Sequence, residues 1–161
     1  MYQSTKLVDG FSTCFRQWRA NSHCNFLHGY SVSFKLTFQA KGLDDKNWVQ
    51  DFGFLKTKLK ENTPGKLPKK VVTIKDWFNY MFDHTTVVAS DDPMYEYFDD
   101  FDTMQLIQLR TMPNVGCEAF AKYVFDFIEQ QIESDFIENR VKLLSVECIE
   151  HDKNSAIYIA E

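Results

Sequence analysis

The stretch Cys24-Asn-Phe-Leu-His28-Gly29-Tyr30-Ser31-Val-Ser-Phe-Lys-Leu-Thr-Phe-Gln39 decides the fold. From Ser31 to Gln39, Val32, Phe34, Leu36 and Phe38 alternate with Ser33, Lys35 and Thr37. That two-residue period is the pattern of a half-buried strand. Carried backwards without a bulge, the same parity puts His28 and Tyr30 on the side of Val32 and Phe34. Two side chains at i and i+2 can then converge on one object, such as a metal or ligand, with Cys24 just upstream where the chain turns into the strand.

Working outward, residues 4–15 read as an earlier strand. Asp51 to Glu61 reads as a helix with Phe52, Leu55 and Leu59 on one face. Asn62 to Lys70 is a loop, punctuated by Pro64, Gly65 and Pro68. Ile74 to Phe82 reads as a second helix, rich in aromatics. Ala89 to Asp102 is acidic and irregular, and Met104 to Met112 reads as a strand. Gly116 to Ser134 carries the strongest helical spacing, through Phe120, Ala121, Val124, Phe127 and Ile128. Val141 to Glu150 and Ser155 to Ala160 read as two strands joined by a turn at Asp152–Asn154. Strands and helices are grouped rather than strictly alternating. This predicts an α+β domain, an antiparallel sheet with helices packed on one face.

The bulk properties agree with a globular chain. At 161 residues it suits one domain with a core of its own. Hydrophobic residues make up 44% and charged residues 25%, which excludes a disordered or fibrous class. A net charge of −5 argues against a nucleic-acid surface, which needs a basic face. No run approaches the roughly 18 apolar residues of a membrane span, and the opening MYQSTKLVDG has no apolar signal region. The expected location is the cytoplasm, with no membrane partner. Cysteines 14, 24, 117 and 148 form no Cys-x-x-Cys pair and read as free thiols in a reducing compartment.

Four clusters carry chemical potential: Cys24 to Tyr30, Asp83-His84, Glu118 and Glu150-His151. An adjacent carboxylate and imidazole orient a proton-transfer group. Glu118 falls in the first turn of the predicted long helix, where the dipole favours a carboxylate. Taken singly, each has a plainer reading: a turn at His28-Gly29, a chance Asp-His pair, a helix-start carboxylate, an inert thiol.

Taken together, and over nearly the whole chain, they resemble the 6-pyruvoyl-tetrahydropterin synthase and 6-carboxytetrahydropterin synthase family. Phe11-Ser-Thr-Cys14-Phe15-Arg16 matches the family's opening Phe-x-Ala-Ala-His-Arg, and Cys24 to Tyr30 its Cys-x-x-x-His-Gly-His. Asp51-Phe52-Gly53-Phe54-Leu55-Lys56 is its Asp-Phe-Gly-x-Leu-Lys intact. Phe82-Asp83-His84, Gly116-Cys117-Glu118-Ala119, and Glu150-His151 with Ala156-Ile157-Tyr158 match its remaining motifs. The resemblance implies the tunnelling fold, with subunits joined by sheet edges into trimers stacked as hexamers. It implies a pterin substrate, dihydroneopterin triphosphate or a relative. Cys24 matches the thiolate base, and Asp83 and His84 its partners, lent by a neighbouring subunit. Glu118 matches the carboxylate that anchors the pterin ring, and Glu150 a second acid nearby.

The resemblance also implies zinc held by three histidines, of which this chain keeps only His28. Phe15 and Tyr30 stand at the other two positions. Phenylalanine has no donor atom, and a tyrosine ligand must lose a proton from a pKa of about 10. His23, Cys14 and His151 are other donors, and spacing compels no arrangement of them. Gly116, Cys117 and Ala119 replace polar residues around Glu118, and the segment from Glu61 to Tyr97 reads as an insertion in a single domain spanning 1–161. The expectation is a pterin synthase-like lyase. The alternatives are a zinc-less protein that binds a pterin or purine-like ring, and a non-catalytic oligomeric interaction protein.

Overall fold

The computed structural model describes residues 1–132 and 140–161. The order is β1 (Tyr2–Phe15), a 3-10 turn at His23–Asn25, β2 (His28–Ala40), a 3-10 turn at Phe52–Lys56, α1 (Ile74–Phe82), β3 (Thr85–Ala89), α2 (Tyr95–Thr103), β4 (Leu109–Met112), α3 (Cys117–Ile132), β5 (Val141–His151) and β6 (Asn154–Ile159). One six-stranded sheet runs β4-β3-β1-β2-β5-β6. The four strands β1, β2, β5 and β6 pair antiparallel, as expected. β3 joins β1 parallel, and β4 joins β3 parallel, so the sheet as a whole is mixed.

The alternation read from Val32 to Phe38 is realised. Val32, Phe34, Leu36 and Phe38 are fully buried, while Ser33, Lys35 and Thr37 keep partial exposure. Their partners across the core are the apolar stripe of α3, from Phe120 through Ala121 and Val124 to Ile128, and the aromatic face of α1. Phe34 meets Phe82 at 4.7 Å and Phe78 at 5.7 Å between ring centroids. Trp77 of α1 stacks on Phe127 of α3, so the two helices are joined to each other as well as to the sheet. Burial of large aromatics at roughly 1.5–3 kcal/mol each makes this layer the main source of stability.

A bulge in β1 sets which side chains reach the core. Between Val8 and Phe11 the pairing with β2 slips, and Gly10 takes the left-handed φ of 85° that the bulge requires. The slip keeps Val8, Phe11, Thr13 and Phe15 all on the buried side. Thr13 then donates to the Phe82 carbonyl at 2.6 Å, tying the end of β1 to the end of α1.

Four local expectations change. The 51–61 helix is only a 3-10 turn. Asp51 caps it through the Gly53 N–H at 2.7 Å, and Leu59 then donates to the Val72 carbonyl at 2.9 Å, an antiparallel pairing that draws 57–59 out of any helix. Residues 85–89 form β3, hidden because every residue is buried and no alternation exists to read. The acidic 89–102 segment contains α2, whose sole buried residue is Phe98. The strand expected from Met104 begins only at Leu109, because Gln105 adopts a left-handed φ of 60° after α2. The last two residues of the predicted 116–134 helix lie outside the described residues. Among the described residues no helix is long and apolar enough to cross a membrane.

Candidate functional site

At one end of the sheet the close of β1, the start of β2, the first turn of α3 and the β5–β6 hairpin enclose a cleft of about 480 Å³. Its walls carry Cys24, His28, Glu118 and Glu150, together with Phe15, Tyr30 and Cys117. Four of the six residues to which the resemblance gives a role therefore share one space. The two that do not are Asp83 and His84.

The Cys24 loop is held from several directions. Ser22 Oγ accepts the Cys24 N–H at 3.3 Å, and the Cys24 carbonyl accepts from the Gln17 N–H at 2.9 Å. Arg16 donates through Nη1 to Asn25 Oδ1 at 2.8 Å, while its Nε and Nη2 grip Asp92 at 2.8 and 2.6 Å. The Asp92 side chain is 1% exposed. Burial pushes its carboxyl up, but the Arg16 hydrogen bonds, the Met94 N–H and the Arg16 charge outweigh that and hold it below the usual carboxylate range.

His28 and Tyr30 share a face of β2, as the parity required, because the β1–β2 register is unbroken from Phe11 to Phe15. His28 Nδ1 lies 2.6 Å from the Phe26 carbonyl, which is only an acceptor, so Nδ1 carries the hydrogen. With the hydrogen on Nδ1, Nε2 presents a lone pair, and the Tyr30 hydroxyl donates to it. Burial first, then the nearby Glu150 carboxylate, push the Tyr30 phenol up and keep it protonated. The Phe15 ring packs 5.2 Å from Tyr30 and 6.4 Å from His28, with its edge on Phe120 at 5.1 Å.

These residues do not fit a zinc ion. A catalytic zinc takes three protein ligands. Here one imidazole nitrogen is already hydrogen-bonded to a protonated phenol, and the third side chain is a hydrocarbon ring. The other donors do not fill the gap, and His23 is exposed and does not line the cleft. His151 sits on the exposed hairpin, its ring nitrogens engaged by the Lys153 N–H and the Asn154 amide. Cys14 has the opposite strand parity to Phe15, and burial pushes its thiol up. Among the described residues no group of three or more His, Cys, Asp or Glu is arranged for a metal.

Glu118 stands in the first turn of α3. Gly116, before it, takes a φ of 111° with its Cα against the Gln17 side chain, and that side chain donates to the Val115 carbonyl at 2.5 Å. A side chain at 116 would collide with the Gln17 amide. Glycine is therefore what this turn demands. Beneath, Cys117 Sγ reaches towards Glu150 at 4.0 Å. A hydrogen bond with Cys117, then burial, push the Cys148 thiol far up, so it stays an inert core group.

Asp83 caps the C-terminus of α1, accepts the Ser12 N–H at 3.3 Å and contacts His84 Nδ1 at 3.0 Å. The His84 side chain is 77% exposed on a left-handed φ of 54°. Asp83 lines a separate hollow of about 250 Å³ with Tyr80 and Arg110. Motif reading missed Gln17, which shapes the turn before Glu118, and Lys153, Asn154 and Ser155 on the cleft rim. Their only signal is nearness in sequence to Arg16 and to Glu150.

A family model described as 6-pyruvoyl tetrahydropterin synthase matches residues 5–161. A 6-carboxy-5,6,7,8-tetrahydropterin synthase from Aquifex aeolicus (strain VF5) is 25% identical over 159 residues, covering 96% of this chain and 87% of that protein. Among solved structures, an uncharacterized protein from Wolinella succinogenes superposes with a TM-score of 0.77 at 20% identity, over 99% of this chain and 98% of that one. The 6-pyruvoyl tetrahydropterin synthase of Caenorhabditis elegans superposes with a TM-score of 0.59 at 16% identity, over 99% and 96%.

Proposed function

The chain belongs to the 6-pyruvoyl tetrahydropterin synthase family, and from that premise we propose that its cleft binds a pterin and acts on it as a synthase-like lyase. The substrate is dihydroneopterin triphosphate or a related pterin, and the reaction eliminates triphosphate and rearranges the side chain. The observation that carries this reading is the convergence of Glu118, Glu150 and Cys24 on one cleft. A pterin presents a ring N–H beside an amino group, and one carboxylate accepts both in a charge-assisted pair. Glu118 is assigned that role, with Glu150 behind it. Cys24 is assigned the base that removes a carbon-bound proton. No step is routed through zinc.

Asp83 and His84 do not reach this cleft within one chain, so they complete it from a neighbouring copy. Open edges at β4 and β6 favour such association, and Ile157 and Ile159 of β6 are exposed in the isolated chain. The assembly is proposed as a trimer-based hexamer. Binding without turnover is the second reading, favoured by Phe15 and Tyr30 at the imidazole positions.

Calorimetric titration with dihydroneopterin triphosphate and with neopterin tests the ring site. Glu118→Ala should weaken binding by about 100-fold, the scale of a lost charge-assisted pair. Unchanged affinity would remove Glu118 from the site. Release of inorganic triphosphate then separates the lyase from the binder.

A further inference from the structure

The imidazole of His28 has both nitrogens spoken for. Nδ1–H is fixed on the Phe26 carbonyl, and the Nε2 lone pair receives the Tyr30 O–H. A cation at this place would need that lone pair, and would first have to displace a hydroxyl. The volume beside it is filled by the Phe15 ring, which is 5% exposed and packed against Tyr30 and Phe120. Phe15 and His28 are paired across β1 and β2, as are Thr13 and Tyr30, so all three rings are held by one stretch of regular register. The arrangement is built into the sheet, not into a loop that could rearrange around a metal.

We infer that Phe15, His28 and Tyr30 form a metal-independent centre, in which the Tyr30 hydroxyl seals the His28 lone pair and its oxygen supplies the polar contact to the cleft that a cation would otherwise supply. Because Tyr30 donates its one hydrogen to His28, its oxygen faces a ligand as an acceptor only. Glu118 and Glu150 are also acceptors. The inner cleft is thus matched to a ligand rich in N–H and O–H groups. This holds whether or not the ligand is a pterin.

The test needs no turnover. Purified wild-type protein is exposed to zinc, desalted and analysed for metal, alongside Phe15→His/Tyr30→His. Wild type should retain none, and the double variant should retain about one zinc per chain, since three imidazoles then replace one. In parallel, nitrogen-15 spectra of the wild-type histidines should show His28 protonated at Nδ1 and accepting at Nε2, with the Nε2 resonance moved by Tyr30→Phe. Stoichiometric zinc in wild type that is lost on His28→Ala overturns the inference. So does a His28 tautomer protonated at Nε2, or a folded double variant that binds no zinc. Should the double variant not fold, the wild-type metal analysis and tautomer decide alone.

Discussion

Removing Asp92 should cost far more stability than removing its neighbour Asp91, although both pair with an arginine of the same loop. Arg16 and Asp92 form a two-pronged pair at 2.6 and 2.8 Å, with side chains 18% and 1% exposed. Arg19 and Asp91 meet at an equally short 2.6 Å, with side chains 65% and 46% exposed. Distance does not separate the two pairs; water does. Asp92→Ala strands the Arg16 guanidinium, and it also removes the acceptor for the Met94 N–H at 2.8 Å. Breaking one side of a buried pair costs about 3–5 kcal/mol, and the partial exposure of Arg16 puts this case near about 3. For a chain of this size each kcal/mol moves the midpoint by about 2–4 °C, so a shift of roughly 6–12 °C is expected. The exposed pair is screened by solvent, and Asp91→Ala should leave the denaturation curve where it was.

Acid gives the same claim a sign. The Asp92 carboxyl is held low in the folded protein, against burial, by Arg16 and the Met94 N–H. Its stabilisation is complete above the unfolded carboxyl value of about 4 and disappears as pH falls from there through the depressed folded value. The gap between wild type and Asp92→Ala should therefore narrow on acidification. Urea titrations at neutral pH and in acid measure it. An Asp92→Ala no less stable than Asp91→Ala, or a gap that widens in acid, would refute the reasoning.

Gly116→Ala should destabilise by about 1–3 kcal/mol, because φ is 111° and the new methyl meets the Gln17 amide. Adding Gln17→Ala relieves the collision but not the backbone strain, so urea curves should show partial recovery only. Thr73→Ala removes half of a capping box, in which the Thr73 hydroxyl accepts the Asp76 N–H at 3.1 Å and the Asp76 carboxylate accepts the Thr73 N–H at 2.9 Å. The cost should be about 1 kcal/mol by chemical denaturation; no measurable change would mean that packing alone defines the start of α1.

Elements that bury one face and expose the other were legible in the sequence. β2 and α3 announce themselves by period because Ser33 and Lys35 stay wet while Val32 and Phe34 do not. β3 is buried along its length and has no period to read. Residues 57–59 fail as a helix for a tertiary reason, their pairing with 72–73, which no local propensity reports. At the site, the residues that coincide with motif positions were readable, and the placement of His28 and Glu118 on one cleft follows from β-strand parity plus the turn before α3, whereas Asp83 and His84 lie elsewhere. Gln17, Asn154 and Ser155 were not, since each acts through a neighbour that only the fold brings near.

Phe15 and Tyr30 make sense only as a pair. Phe15 belongs to the core: its edge contact with Phe120 carries the aromatic layer of Phe34, Phe78 and Phe82 up to the cleft floor. A histidine there alone would set a polar ring against Phe120 with its nitrogens unpaired, at a cost of about 1–3 kcal/mol for the buried group. A Phe15 without Tyr30 would leave the His28 Nε2 without the hydroxyl that it now meets. Together the two rings satisfy one lone pair and fill one space. With its Nδ1 hydrogen on Phe26 and its Nε2 on Tyr30, His28 is held as an internal hydrogen-bonding group of the cleft floor.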